Sequence, residues 1–276
     1  MFLNKLPFLL LFLILFSCSS KEQVNEILIE QDLEKQMIEV YTKGVEQLEE
    51  GENVLAAKKF NEAEIIFPQS KWAPQSVLMA AYAFYEVNYF EDAIYEIDRF
   101  ILNYPNHKHM PYARFLRAIC FFESVVDEKK DLKPILNAKK EFNYIIENYP
   151  NSDFAIDSKY KLELIDNILA AKEMYIGRYY LDKEKWIAAI NRFKKVITYY
   201  DTTVYTPEAL HRLVEIYYRL GLIEESKKYA SVLGYNYLSD QLYKETYKIY
   251  NKNYSDPVLD IKKNKKSLLE KFKSLF

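Results

Sequence analysis

The chain has 276 residues, half of them hydrophobic and 28% charged, with a formal net charge of −2. So even a charge balance argues against a general nucleic-acid role, which needs a basic face. Only five glycines are present, which suits an all-helical chain.

Met1 to Ser17 carries one lysine, Lys5, and then the apolar run Leu6 to Phe16. This reads as a signal peptide, too short to span a bilayer comfortably and followed at once by polar residues. It closes on Leu15-Phe16-Ser17-Cys18, which resembles a bacterial lipoprotein box with Phe16 larger than usual. In that pattern Cys18 is acylated and begins the mature protein. Ser19, rather than Asp, resembles the signal for outer-membrane delivery. The alternative is a plain secretory signal with a free Cys18. A lipidated Cys18 leaves Cys120 without an intramolecular partner, as a small buried apolar residue. Residues 18–36 read as a polar tether that becomes helical. From Glu22 to Glu64 there are 12 acidic and 4 basic residues.

A spacing then recurs: an alanine, an aliphatic or aromatic residue four places on, and a proline twelve places after the alanine. Ala56-Phe60-Pro68, Ala93-Ile97-Pro105 and Ala138-Phe142-Pro150 follow it, and Ala189-Phe193-Asp201 repeats it with Asp in the proline slot. This is the second half of a tetratricopeptide (TPR) repeat. The small residue admits close helix approach, the apolar one packs a turn later, and proline stops the helix. Residues 37–150 hold repeats one to three, with Gly44 and Ala81 at small positions of first helices. Asp127–Pro134 is an insertion in the third repeat. Residues 153–181 form one long helix capped by Ser152 or Asp153, with apolar residues at Ile156, Tyr160, Leu164, Ile168, Ala171 and Tyr175. It joins repeats three and four and brings Gly177 to the small position. Trp186–Tyr199 is its partner helix. Repeat five opens with Thr206 as cap and Pro207 at the first helical position, and Ser226 replaces the key alanine. A capping helix, Ser239–Tyr250, completes residues 151–250. Residues 251–276 are a lysine-rich tail with a weak amphipathic pattern, open between a solvated helix and an interface. The fold class is an all-α, TPR-like solenoid of about five hairpins.

Beyond the template, the chain resembles the BamD family, the lipoproteins of the outer-membrane β-barrel assembly (BAM) machine. The resemblance rests on the lipobox cysteine, Ala83-Phe84-Tyr85, Ile97-Asp98-Arg99-Phe100, Tyr149-Pro150-Asn151-Ser152, Tyr179-Tyr180, and above all Trp186-Ile187-Ala188-Ala189-Ile190-Asn191-Arg192. It implies a non-enzymatic, cofactor-free scaffold on the periplasmic face of the outer membrane. Its implied partners are the barrel-forming subunit, other BAM lipoproteins, and unfolded outer-membrane proteins carrying an aromatic C-terminal signal. Arg192 matches a family arginine tied to the central subunit, and Lys183 a basic position near it.

From the residues themselves, Arg192 points away from the Ala189/Phe193 stripe, either to bind a partner carboxylate or to pair with a nearby Glu. Tyr82, Tyr85 and Tyr89 recur on one face of repeat two, with Arg99 on the next helix. They form either a groove for an extended apolar peptide ending in a carboxylate or core packing. His107 and His109 lie in a turn with no nearby Cys or carboxylate, against a metal role. No hydrolase, phosphate-loop or metalloprotease motif is present, so no active site is expected. The rival reading is a periplasmic TPR adaptor for cell-envelope or division proteins.

Overall fold

The computed structural model describes residues 20–125, 131–238 and 241–251, the first nine as backbone. The signal peptide, Cys18, residues 127–130 of the insertion in repeat three and the lysine-rich tail from residue 252 lie outside the described residues. Within them the secondary structure is helical: α1 (Ser20–Glu49), α2 (Asn53–Ile66), α3 (Ala73–Glu86), α4 (Phe90–Asn103), α5 (Met110–Glu123), α6 (Lys133–Asn148), α7 (Asp153–Asp182), α8 (Trp186–Tyr199), α9 (Thr206–Arg219), α10 (Ile223–Asn236) and α11 (Gln241–Tyr250). The segment expected to be a tether is therefore helix from Ser20 onward. It contains neither Pro nor Gly before Gly44 and is rich in Glu, Gln, Leu and Lys, all good helix formers.

Consecutive helices pair as TPR-like hairpins, in two compact units whose division falls between Lys159 and Tyr160, inside α7. The first unit holds hairpins α1/α2, α3/α4 and α5/α6 with the start of α7. Phe154 there stacks on Phe115 and Tyr112, 5.3 and 5.9 Å away. The second holds the rest of α7 with α8, then α9/α10 and α11.

Each expected small/apolar pair is buried. Ala56, Phe60, Ala93, Ile97, Ala138, Phe142, Ala189 and Phe193 are all inaccessible, and so is Ser226. Burying an aromatic side chain contributes about 1.5–3 kcal/mol. The opposing position sets how near the helices come. A Cβ on Gly44 would fall 2.9 Å from the Phe60 ring, and one on Gly177 would fall 2.6 Å from Phe193. Ser226 is more than a size substitute, since its hydroxyl donates to the Val214 carbonyl at 2.9 Å and meets the Tyr250 hydroxyl of α11.

Four hairpin turns share one closure. Gly51, Asn88, Glu184 and Gly221 all have positive φ. The next amide donates five residues back, at 2.8 Å for Glu52 to Gln47, 3.0 Å for Tyr89 to Phe84, and 2.9 Å for both Lys185 to Tyr180 and Leu222 to Tyr217. That is the Schellman arrangement. Helix exits are also alike: α2, α4 and α6 end at Ile66, Asn103 and Asn148, two residues before Pro68, Pro105 and Pro150. At the start of α7, Ser152 caps by accepting the Ala155 amide at 3.2 Å. Thr206 does not cap α9. Tyr205 holds that position, Pro207 is one residue deeper than expected, and the Thr206 hydroxyl donates to the Tyr200 carbonyl at 3.1 Å.

The long helix runs as expected, but with another face inward. Ile165, Leu169, Ala170 and Met174 are buried, whereas Ile156, Tyr160, Leu164 and Tyr175 are each about half exposed or more. Gly177 must face Phe193, and one and two turns before it on that side stand Met174 and Ala170, not Tyr175.

α11 is tied to α9 by buried His211, whose Nδ1 lies 2.6 Å from the Thr246 hydroxyl and Nε2 3.7 Å from Glu215. Burial holds its pKa below the ordinary 6.5, with Arg212 acting the same way and Glu215, Glu245 and Glu208 opposing.

Gly177→Ala should destabilise by about 1–3 kcal/mol through overpacking, while Glu184→Gly should stabilise by about 0.5–1 kcal/mol by relieving the left-handed residue; urea denaturation checks both. Because the folded state keeps His211 neutral, its contribution is complete above pH 6.5 and is lost as pH falls through the lowered folded value. Melting temperature should fall more steeply between pH 7.5 and 5 in the natural protein than in His211→Gln.

Candidate interaction surfaces

Arg192 sits on α8, directly before Phe193, and turns out of the core. Its Nη1 donates to Glu173 of α7 at 3.0 Å, and Lys195 Nζ reaches the other oxygen of the same carboxylate at 3.3 Å. The pair within the repeat therefore forms, but it leaves the Arg192 side chain 32% exposed. One Glu thus serves two cations on the outer side of α8. Lys183, at the end of α7, is exposed beside Glu184 in the turn.

The four residues expected to line a peptide groove separate into two groups. Tyr82 and Tyr85 meet at 6.4 Å, and Tyr85 meets Phe90 at 6.3 Å. Both tyrosines are half-buried against the core of hairpin α3/α4 and the start of α5. Glu86 holds the Tyr82 phenol above its ordinary value, and burial with the Glu123 charge pushes the Tyr85 phenol up to about 12. Tyr89 is 52% exposed in the hairpin turn.

Arg99 does not join them. Its guanidinium bonds to Glu64 of α2 and to Glu96 on its own helix. Asn61 also donates to Glu96 at 2.8 Å. Both carboxylates are buried, and two buried anions hold a guanidinium more firmly than any aromatic face can. Arg99 is a strut between hairpins. Sequence reading could not find Glu64, which lies 35 residues away.

His107 and His109 stack 5.3 Å apart, with His107 edge-on to Phe100 at 5.4 Å. Among the described residues no group of three or more His, Cys, Asp or Glu could hold a metal ion. Cys120 is buried as expected, and burial pushes its thiol up to about 12. Among the described residues no helix is long and apolar enough to cross a membrane.

Residues 33–233 match the model of the YfiO outer membrane lipoprotein family. The outer membrane protein assembly factor BamD of Caulobacter vibrioides is 41% identical over 80% of this chain and 72% of its own length. The chain belongs to this family. BamD of Rickettsia prowazekii is 37% identical over 88% of this chain and 94% of that protein. Among solved structures, a thermophilic TPR protein from Thermus thermophilus aligns over 74% of this chain and 93% of its own at 14% identity, with a TM-score of 0.34. That likeness is too slight to add to the hairpins themselves. The matched span of the family, 33–233, takes in α2 to α9 and most of α10, and therefore both groups of residues described above.

The two arginines should respond differently to removal. Arg99→Ala strands two buried carboxylates and should cost about 3–5 kcal/mol, whereas Arg192→Ala leaves Glu173 with Lys195 and should cost about 1 kcal/mol or less. Chemical denaturation of both variants checks the contrast.

Proposed function

We propose that this BamD-family chain is a non-catalytic scaffold in the assembly of outer-membrane β-barrel proteins, anchored by lipid at Cys18 on the periplasmic face. Family membership carries the reading: relatives named as assembly factors share 41% and 37% identity along most of this chain. The hairpin architecture supports it, because stacked helical pairs present side chains from many turns to a partner rather than enclosing a reaction centre.

Within that role, Arg192 and Lys183 contact the barrel-forming subunit. The partly exposed guanidinium of Arg192 has the fork geometry that a partner carboxylate needs, and Glu173 holds its direction until the partner arrives. Tyr82, Tyr85 and Tyr89 offer ring faces to unfolded outer-membrane proteins. Tyr89 offers the most surface and Tyr82 and Tyr85 only their outer edges. Other BAM lipoproteins are further partners of the same scaffold.

Arg192→Leu removes the fork but keeps the aliphatic bulk. We expect it to lower co-purification with the barrel-forming subunit from solubilised envelopes while its helical circular-dichroism signal and melting temperature stay near those of the natural protein. Full recovery of that subunit with the variant would remove Arg192 from the interface. Recovery of division or cell-wall proteins alone would replace the reading with that of an envelope adaptor.

A further inference from the structure

In the second unit, α11 runs back along α9 and α10. Its last residue, Tyr250, meets the Ser226 hydroxyl at the start of α10 and stands edge-on to Tyr218 at 5.5 Å. The chain therefore passes residue 251 beside the α9/α10 turn. Large apolar side chains crowd that edge: Tyr218, Leu220, Leu222, Ile223, Tyr247 and Tyr250 are each 36–50% exposed. Scattered singly such residues are ordinary, but grouped around one turn they mark a contact surface. None of them belongs to the surfaces described above. The turn is fixed in advance by Gly221 and by the Leu222 amide, which donates to the Tyr217 carbonyl at 2.9 Å.

Charge decides what covers this edge. It carries Arg219, Lys227, Lys228 and Lys248 against Glu224, Glu225 and Glu245, and Glu224 is already bonded to Lys227 at 2.9 Å. Residues 252–276, which follow, hold seven lysines and three acids, a net of +4 (7 minus 3). Leu268, Phe272 and Phe276 recur there at four-residue spacing, with Lys271 and Lys273 between them. Folding back onto the edge would set these lysines against a surface that already has more cations than acids, and like charges oppose that route. An anionic bilayer surface satisfies both parts. Its headgroups attract the lysines, with about a fivefold gain in affinity for each basic residue that reaches them. The boundary between headgroups and acyl chains also takes tyrosine rings and short aliphatic side chains.

We infer that the α9/α10 edge and residues 252–276 together form a second membrane contact, made to an anionic phospholipid surface, in addition to the lipid proposed at Cys18. The lysines lie among the headgroups. Leu268, Phe272 and Phe276 join Tyr218, Leu220 and Leu222 at the level of the first acyl carbons. This contact does not depend on the scaffold role, since any anionic leaflet satisfies it.

The test uses the mature chain with Cys18→Ser, which takes no lipid, and sedimentation with vesicles of phosphatidylcholine alone or mixed with an equal part of phosphatidylglycerol. Binding to the mixed vesicles should be at least about tenfold tighter than to the neutral ones and should weaken several-fold between about 50 and 500 mM salt. Replacing Lys262, Lys263, Lys265 and Lys266 together by Gln should erase the preference. Leu268→Ser with Phe272→Ser, and separately Leu220→Ser with Leu222→Ser, should each weaken binding about threefold or more, with melting temperature unchanged. Should the second pair lower the melting temperature, Leu220→Ser alone replaces it. Equal binding to both kinds of vesicle, or a preference kept by the lysine variant, overturns the inference. Losses confined to the tail variants overturn the joint site. Envelope proteins that co-purify with the parent chain and are lost from the lysine variant, in place of vesicle binding, make this a protein interface and overturn the membrane contact.

Discussion

The ring of Phe193 rests on the bare backbone of Gly177, and the ring of Phe60 rests on Gly44 in the same way. The approach of α1 to α2 and of α7 to α8 depends on this contact. A side chain at either glycine would push the helices apart, and the alanines one turn from each ring would lose their burial. With the helices held that close, the connection between them has only a few residues in which to reverse. The left-handed residue at 51, 88, 184 or 221 makes that possible by closing the last carbonyls of one helix on the turn. Glycine fills that slot twice and asparagine once, residues that accept the conformation cheaply. Glu184 accepts it at a cost, and the Phe193 ring on Gly177 holds together the two helices that this turn joins.

The parts of the fold set by neighbours in sequence were legible. Small residue, ring and proline lie within thirteen positions of one another, so their spacing alone places α2, α4, α6 and α8, and α8 runs from Trp186 to Tyr199 as read. What periodicity does not reveal is which of two apolar faces turns inward. α7 carries a stripe through Tyr160, Leu164 and Tyr175 and another through Ile165, Met174 and Gly177; only the glycine, by its approach to Phe193, distinguishes them. At the start of α1, the stretch read as a tether that becomes helical is helix from Ser20 onward.

Functional side chains were harder to read because their neighbours come from distant segments. Arg99 looked like a free cation near tyrosines, yet the anions that hold it include one from the preceding hairpin. The cluster between α5 and α6 was invisible for the same reason. Arg114 and Arg117 stand before the insertion and Glu141 and Tyr144 after it, and only their 3.0–4.3 Å approaches bring them into one constellation.

These contacts divide the arginines by what happens when one lets go. An arginine that serves a partner must loosen from its own acid, and a buried carboxylate left alone costs several kcal/mol. Among the described residues Arg99 is the sole cation paired with Glu64 and Glu96, both buried, so release would strand both. Arg192 shares Glu173 with Lys195, so the carboxylate stays paired when the guanidinium turns outward. On the proposed reading, Arg192 can turn to a partner because Glu173 keeps a second cation, whereas the pairing of Arg99 places it in the framework.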